Sequence, residues 1–299
     1  MSTTVTFCPS CGRTLGPEQG NFCAQCALTV QPLQSPPSAQ SESRSKWLDL
    51  LWASIVWGLS GGFLLMLDLV FRLGYWLAYH SQPEVQVTRG VVIISLAITL
   101  IMHIVGFVAA WMVVTRIGRR PFWQSLGWGW IPQFKLVHAI GLAFLMTGVG
   151  VLLEQVLPHK ETDLEKFLKM GMAIRVMVAV LAVVTAPFIE EIVYRGVVYS
   201  SIERLSGKGA AVAFVTLLFA VVHVPQYWGS VAAITAIVSL SLVLTLVRAW
   251  TGKLLPCVVT HLVYNGIHAA VLLVAPEHAT ESQQTQTAFL AVWQSLGLN

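Results

Sequence analysis

Charge is scarce in this chain. Only 11% of its 299 residues are Asp, Glu, Lys or Arg, against roughly 25% in soluble domains. Too little polar surface is available to cover a water-facing globule, which excludes a soluble enzyme or carrier. The net charge of +4 is modest and its basic residues sit between apolar runs, so a nucleic-acid partner is not expected. Residues 1–46 are polar and hold no apolar run of the kind a cleavable signal carries. Cysteine is nearly missing beyond residue 26: Cys8, Cys11, Cys23 and Cys26 leave only Cys257, best read as a small packing residue, so no disulfide framework exists. Acidic residues are rarer still in the apolar runs. Asp68 is the one aspartate well inside such a run, which leaves an aspartyl protease dyad without its second member. No His-Glu-x-x-His occurs, which removes the zincin type of membrane protease.

What is present in quantity is hydrocarbon, with 56% of residues hydrophobic. A spanning helix needs about 20 apolar residues, and seven runs qualify as candidates: 47–71, 91–115, 136–157, 172–205, 210–224, 231–250 and 254–274. The expected fold class is all-α, a polytopic transmembrane bundle of about 7–8 spans with a small zinc ribbon at its N terminus. The fourth run is too long for one straight span, and Pro187 inside it is expected to kink it. A last stretch, 287–298, is short for a span. Arg44, Lys46, Arg116, Arg119, Arg120, Lys135, Arg204, Lys208, Arg248 and Lys253 fall on one side of a seven-span arrangement, which predicts a cytoplasmic N terminus in a cell-membrane protein. The expected domains are a ribbon at 1–30, a disordered Pro/Ser/Gln-rich linker at 31–46 and a transmembrane domain at 47–299.

The spacing of Cys8-x2-Cys11 and Cys23-x2-Cys26 places two knuckles 11 residues apart. Four thiolates so arranged suit a closed tetrahedral site, which is structural zinc rather than a catalytic centre. Gly12 follows the first knuckle where a tight turn is needed. A redox dithiol pair and a ribbon that has lost its metal are the competing readings. The module offers itself as a docking point for another protein.

Inside the apolar runs three polar clusters stand out: Glu190-Glu191-x3-Arg195, Phe219-x3-His223 and His261-x3-Asn265. An intramembrane carboxylate is expensive unless it is paired or faces a polar cavity. Glu191 and Arg195 are i,i+4 neighbours and can neutralise one another, whereas Glu190 points about 100° away and is left for another task. Convergence of the three clusters on one cavity is the simplest joint explanation. Such a set supports hydrolysis: Glu190 as general base on water, His223 holding that water, His261 and Asn265 donating to a developing oxyanion. The same Glu190, His223, His261 and Asn265 could instead ligate a divalent metal such as zinc. Gly58-Leu59-Ser60-Gly61 has the small-residue pattern of a rhomboid serine site, yet small residues are common at helix contacts. His103 and His138 are read as hydrogen bonders between helices, Asp68 and Glu154 as residues near span ends, and 163–169 as a short interfacial helix.

In their order and spacing these motifs resemble the CPBP family, the type II CAAX prenyl endopeptidases and bacteriocin-processing or immunity proteins. Tyr194-Arg195-Gly196 and Leu254-Leu255-Pro256 fit as well, and the likeness covers about 140–275. The resemblance implies an intramembrane endopeptidase, often described as a metalloprotease, in which Glu190 activates water, His223 assists or binds metal, and His261 with Asn265 forms the oxyanion or metal site. Glu191 and Arg195 would be partly structural. The substrate would be a membrane-associated protein or peptide within the lipid bilayer. A non-catalytic scaffold or immunity protein of the same fold, and a proton-coupled transporter, are the alternatives.

Overall fold

The computed structural model describes residues 6–8, 11–15, 39–80 and 88–274. The chain divides into two compact units, Met1–Arg44 and Ser45–Asn299. In the first, β1 (Thr6–Phe7) pairs antiparallel with β2 (Thr14–Leu15), Thr6 opposite Leu15. The turn between them carries Cys8, whose N–H donates to Arg13 O at 2.8 Å, and Gly12 at φ +71°. That left-handed backbone is the tight turn expected of Gly12. Cys23 and Cys26 lie outside the described residues.

Beyond the hairpin the described residues are helical: α1 (Ala39–Trp57), α2 (Phe63–Tyr79), α3 (Arg89–Thr115), α4 (Phe122–Ser125), α5 (Leu136–Val156), α6 (Asp163–Leu168), α7 (Met172–Val180), α8 (Ala186–Glu191), α9 (Tyr199–His223), α10 (Val231–Thr251) and α11 (Leu255–Val274). Local sequence sets the ends. The Thr88 hydroxyl accepts from Val91 N at the start of α3, and Ser230 Oγ accepts from Ala233 N at the start of α10. Thr162 and Glu165 form a reciprocal capping box on α6, and Gly252 at φ +65° ends α10.

Among the described residues, five helical segments are long and apolar enough to cross a membrane: 89–115, 136–156, 172–223, 231–251 and 255–274. This is a multi-pass, all-α membrane protein. The third segment has 52 residues, and at 1.5 Å rise per residue it is far longer than one hydrocarbon thickness. It is interrupted at Gly207 (φ +85°, ψ 172°), which separates the portion expected to end at Leu205 from the one expected to begin at Ala210.

Several expectations change. Residues 39–46, read as the end of a disordered linker, are helical because Ala39, Gln40 and Glu42 are strong helix formers leading into an apolar run; residues 31–38 and 287–298 lie outside the described residues. The run 47–71 is not one straight span. A π-helical segment, Gly58–Gly62, joins α1 to α2, and Gly61 adopts φ +121°, a backbone open to a residue without Cβ. Pro187, where a kink was expected, follows directly on a departure from α geometry. It sits at the first turn of α8, tolerated there because upstream Leu181–Thr185 widens to a π-turn.

α9 packs along α10, and α11 lies against α5, α7, α8 and α10. One core cluster gathers Ile192, Val193, Val197, Val215 and Phe219, and a second gathers Met146, Leu240, Leu244 and Cys257. α3 closes on the Gly58–Gly62 segment, where a Cβ on Gly106 would come within 2.7 Å of Ser60 Cβ. Ser60 itself donates to Trp57 O at 2.8 Å. Gly106 serves this helix contact, whereas a Cβ on Gly58 or Gly61 would meet nothing within 4 Å.

Candidate functional site

α8 is a six-residue helix held between two π-turns, Leu181–Thr185 before it and Ile192–Val198 after it. Single π-turns inside helices recur at functional sites, and the first of these has a cause in the sequence. Pro187 has no N–H, and Ala186 N–H donates back to Leu181 O. Ala182 O is therefore deprived of a helical donor. Asn265 Nδ2, from α11, donates to it at 2.8 Å. His103, from α3, meets the same π-turn through Thr185 Oγ1 at 2.9 Å.

The two glutamates part company at once. Glu191 is fully buried, and its Oε1 accepts from Arg195 Nη1 at 2.9 Å and from His261 Nδ1 at 2.9 Å. Arg195, equally buried, spends three further donors on α10: Nε on Thr245 Oγ1 at 3.2 Å, Nη2 on Ser241 O and Oγ at 3.0 and 2.9 Å. Its guanidinium lies 4.6 Å from the ring centre of Phe219, a cation–π contact in a desolvated setting. Phe219 is also the platform for His223, with ring centres 4.5 Å apart. This explains why an aromatic one turn before His223 belongs in the motif.

Glu190 is only partly enclosed, with 21% of its side chain exposed. Its Oε1 lies 4.0 Å from His223 Nε2 and its Oε2 lies 3.9 Å from His261 Nε2. These separations exceed a direct hydrogen bond. They match the span of one water placed about 2.8 Å from each atom. His223 Nδ1 donates to Phe219 O at 2.7 Å, and a carbonyl can only accept, so the proton of neutral His223 is on Nδ1. The Glu191 contact places the proton of His261 on Nδ1 by the same logic. Both rings thus present Nε2 to Glu190. All three groups line a cavity of about 620 Å³, together with Asn265, His103 and His268.

Of the residues singled out in the sequence, Glu190, His223, His261 and Asn265 share this cavity, while Glu191 and Arg195 form the packed support behind His261. Asn265 is the departure: one N–H of the amide expected at the oxyanion is committed to Ala182 O. No group of three or more His, Cys, Asp or Glu among the described residues is arranged as a metal site, so the metal-ligating alternative for Glu190, His223, His261 and Asn265 finds no support in the geometry. His138 does not reach another helix; its Nδ1 accepts from Lys135 N at 2.9 Å and caps α5. Glu154 stands on the cavity wall, with His159 3.7 Å away. Sequence reasoning missed Ser241 and Thr245, ordinary hydroxyls in an apolar run. It also missed Trp57, whose Nε1 donates to Tyr194 OH at 3.2 Å and ties α1 to the site.

Residues 172–267 match the family model described as Type II CAAX prenyl endopeptidase Rce1-like. The match covers 96 residues, about a third of the chain. It begins at α7 and ends within α11, so it contains both π-turns, both glutamates, Arg195, His223, His261 and Asn265. The description is that of an endopeptidase. α1 to α6 lie outside the match, although α3 and α5 contribute cavity wall. No curated protein and no solved structure matches the chain.

Proposed function

We propose that this protein is an intramembrane endopeptidase that hydrolyses peptide bonds of membrane-associated proteins or peptides. The observation that carries the reading is the placement of the Glu190 carboxylate within 4.0 Å of two histidine Nε2 atoms on the wall of a cavity inside a helix bundle. Glu190 takes a proton from water held between it and His223. The resulting hydroxide adds to the scissile carbonyl. His261, with Glu191 holding its Nδ1–H, presents Nε2 as an acceptor and helps orient the attacking water. The proton on Glu190 then passes to the departing amine, which completes hydrolysis with one water consumed. Asn265 contributes by fixing the π-turn beneath Glu190, and its second amide N–H remains for substrate.

The remaining features extend the same reading. A cytoplasmic N terminus would place the cysteine module in a reducing compartment, where Cys8, Cys11, Cys23 and Cys26 hold structural zinc and the ribbon engages a protein partner. The β1–β2 turn at Cys8 has the backbone such a knuckle needs.

Comparison of membrane-protein termini in cells carrying the wild type or Glu190→Gln tests the activity and names substrates together. New termini present only with the wild type are expected. Undiminished cleavage by Glu190→Gln, in protein inserted at normal levels, would sink the mechanism.

A further inference from the structure

Four histidines line the cavity: His103, His223, His261 and His268. Two of them face Glu190 through Nε2, as described above. His268 Nδ1 donates to Tyr264 O at 2.8 Å. His103 belongs to no motif, and α3 lies outside the matched segment. Its tautomer can nevertheless be assigned. Thr185 Oγ1 lies 3.2 Å from Leu181 O and 2.9 Å from His103 Nδ1; with its one hydroxyl proton on Leu181 O, as i−4 back-bonding allows, Oγ1 accepts from His103 Nδ1. Neutral His103 is therefore left with an acceptor at Nε2.

A cavity walled by apolar helices gives meaning to that acceptor. A peptide extended for cleavage exposes backbone N–H groups, and in a membrane interior each unsatisfied one is costly. A neutral imidazole nitrogen meets this need without adding a second anion beside Glu190. His103 also touches the π-turn that precedes α8, so its position is set relative to Glu190 by one hydrogen bond and one short stretch of helix.

We propose that His103 is a substrate-positioning residue of the Glu190 site, its Nε2 accepting a hydrogen bond from a backbone N–H of the bound peptide. The proposal rests on the proteolytic reading, and the experiment separates the two. His103→Asn keeps a short donor toward Thr185 and removes the distant acceptor. His103→Gln reaches about as far as Nε2 and restores an acceptor oxygen. The protein most dependent on Glu190 for its cleavage is reconstituted with each variant in liposomes. For His103→Asn, KM is expected to rise about tenfold, with kcat within about threefold and an unchanged melting temperature; His103→Gln is expected to recover most of the loss. A His103→Asn enzyme with wild-type KM overturns the proposal. So does an equal loss in both variants accompanied by a lowered melting temperature, which would mark a packing role.

If no terminus depends on Glu190, the proteolytic reading falls by itself, and His103 is judged by 15N spectra of histidine-labelled protein in nanodiscs titrated with a capped apolar tetrapeptide. A moving His103 Nε2 resonance supports peptide contact. A resonance that stays fixed at saturation overturns it.

Discussion

Glu190 and Glu191 are neighbours in the chain but belong to two different regions of the molecule. Behind α8 lies a closed polar core: Glu191, Arg195, Ser241, Thr245 and Phe219, all buried and joined by hydrogen bonds and a cation–π contact. In front of it lies the cavity, where Glu190 stands at non-bonded distance from His223 and His261. The first region pairs its charges internally through Glu191 Oε1, as a buried ion pair must if it is not to be strongly destabilising, and leaves Glu191 Oε2 buried with no hydrogen-bond partner. The second leaves an anion and two imidazole acceptors facing open volume, a configuration that is wasteful for stability and useful for proton transfer. His261 joins them, its Nδ1 in the core and its Nε2 in the cavity. The closed core thus fixes the tautomer of the open site.

Substitutions should separate these two regions. The largest effect is expected at Glu190→Gln, which should lower the cleavage rate by about 10²–10⁴ while the unfolding midpoint stays near that of the wild type; a coupled loss of stability would mean the two regions are one. Next comes Arg195→Met, which strands the Glu191 carboxylate in the interior. It should cost about 3–5 kcal/mol, measured by chemical unfolding in detergent, and activity should fall only as folded protein is lost. Asn265→Ala should cost about 1–3 kcal/mol because Ala182 O loses its donor. In a Pro187→Ala background that cost should shrink, since a helical N–H again becomes available, and a double-mutant cycle without coupling would contradict the account of the π-turn. The smallest effect on activity is expected where α3 meets the Gly58–Gly62 segment. Gly106→Ala, which forces a Cβ to within 2.7 Å of Ser60 Cβ, should destabilise by about 1–3 kcal/mol without changing the KM of surviving enzyme.

Much of this was legible before any fold was known. The helices 136–156, 231–251 and 255–274 fall within a residue or two of their expected bounds because a membrane span announces itself by length and hydropathy alone. Glu191 with Arg195 was legible because i,i+4 geometry is local. The Gly58–Gly62 break was missed because its glycines permit a continuous helix as well as a broken one. The bond from Asn265 to Ala182 O was missed for a different reason. Its acceptor exists only because Pro187, in another helix, withholds a donor. His138 was misread because capping its own helix and reaching a neighbouring one use the same residue type.

By itself the sequence determined that the protein is embedded in a membrane, that Glu190, His223, His261 and Asn265 are candidate site residues, and that Glu191 has a local partner. Each follows from composition or from spacing along one helix. Only the tertiary structure decided which ring nitrogens face Glu190, that Asn265 repairs a proline-made gap, and that His103 from an unmatched helix joins the wall. Those depend on hydrogen bonds between helices far apart in sequence, whose directions are set by packing and not by periodicity.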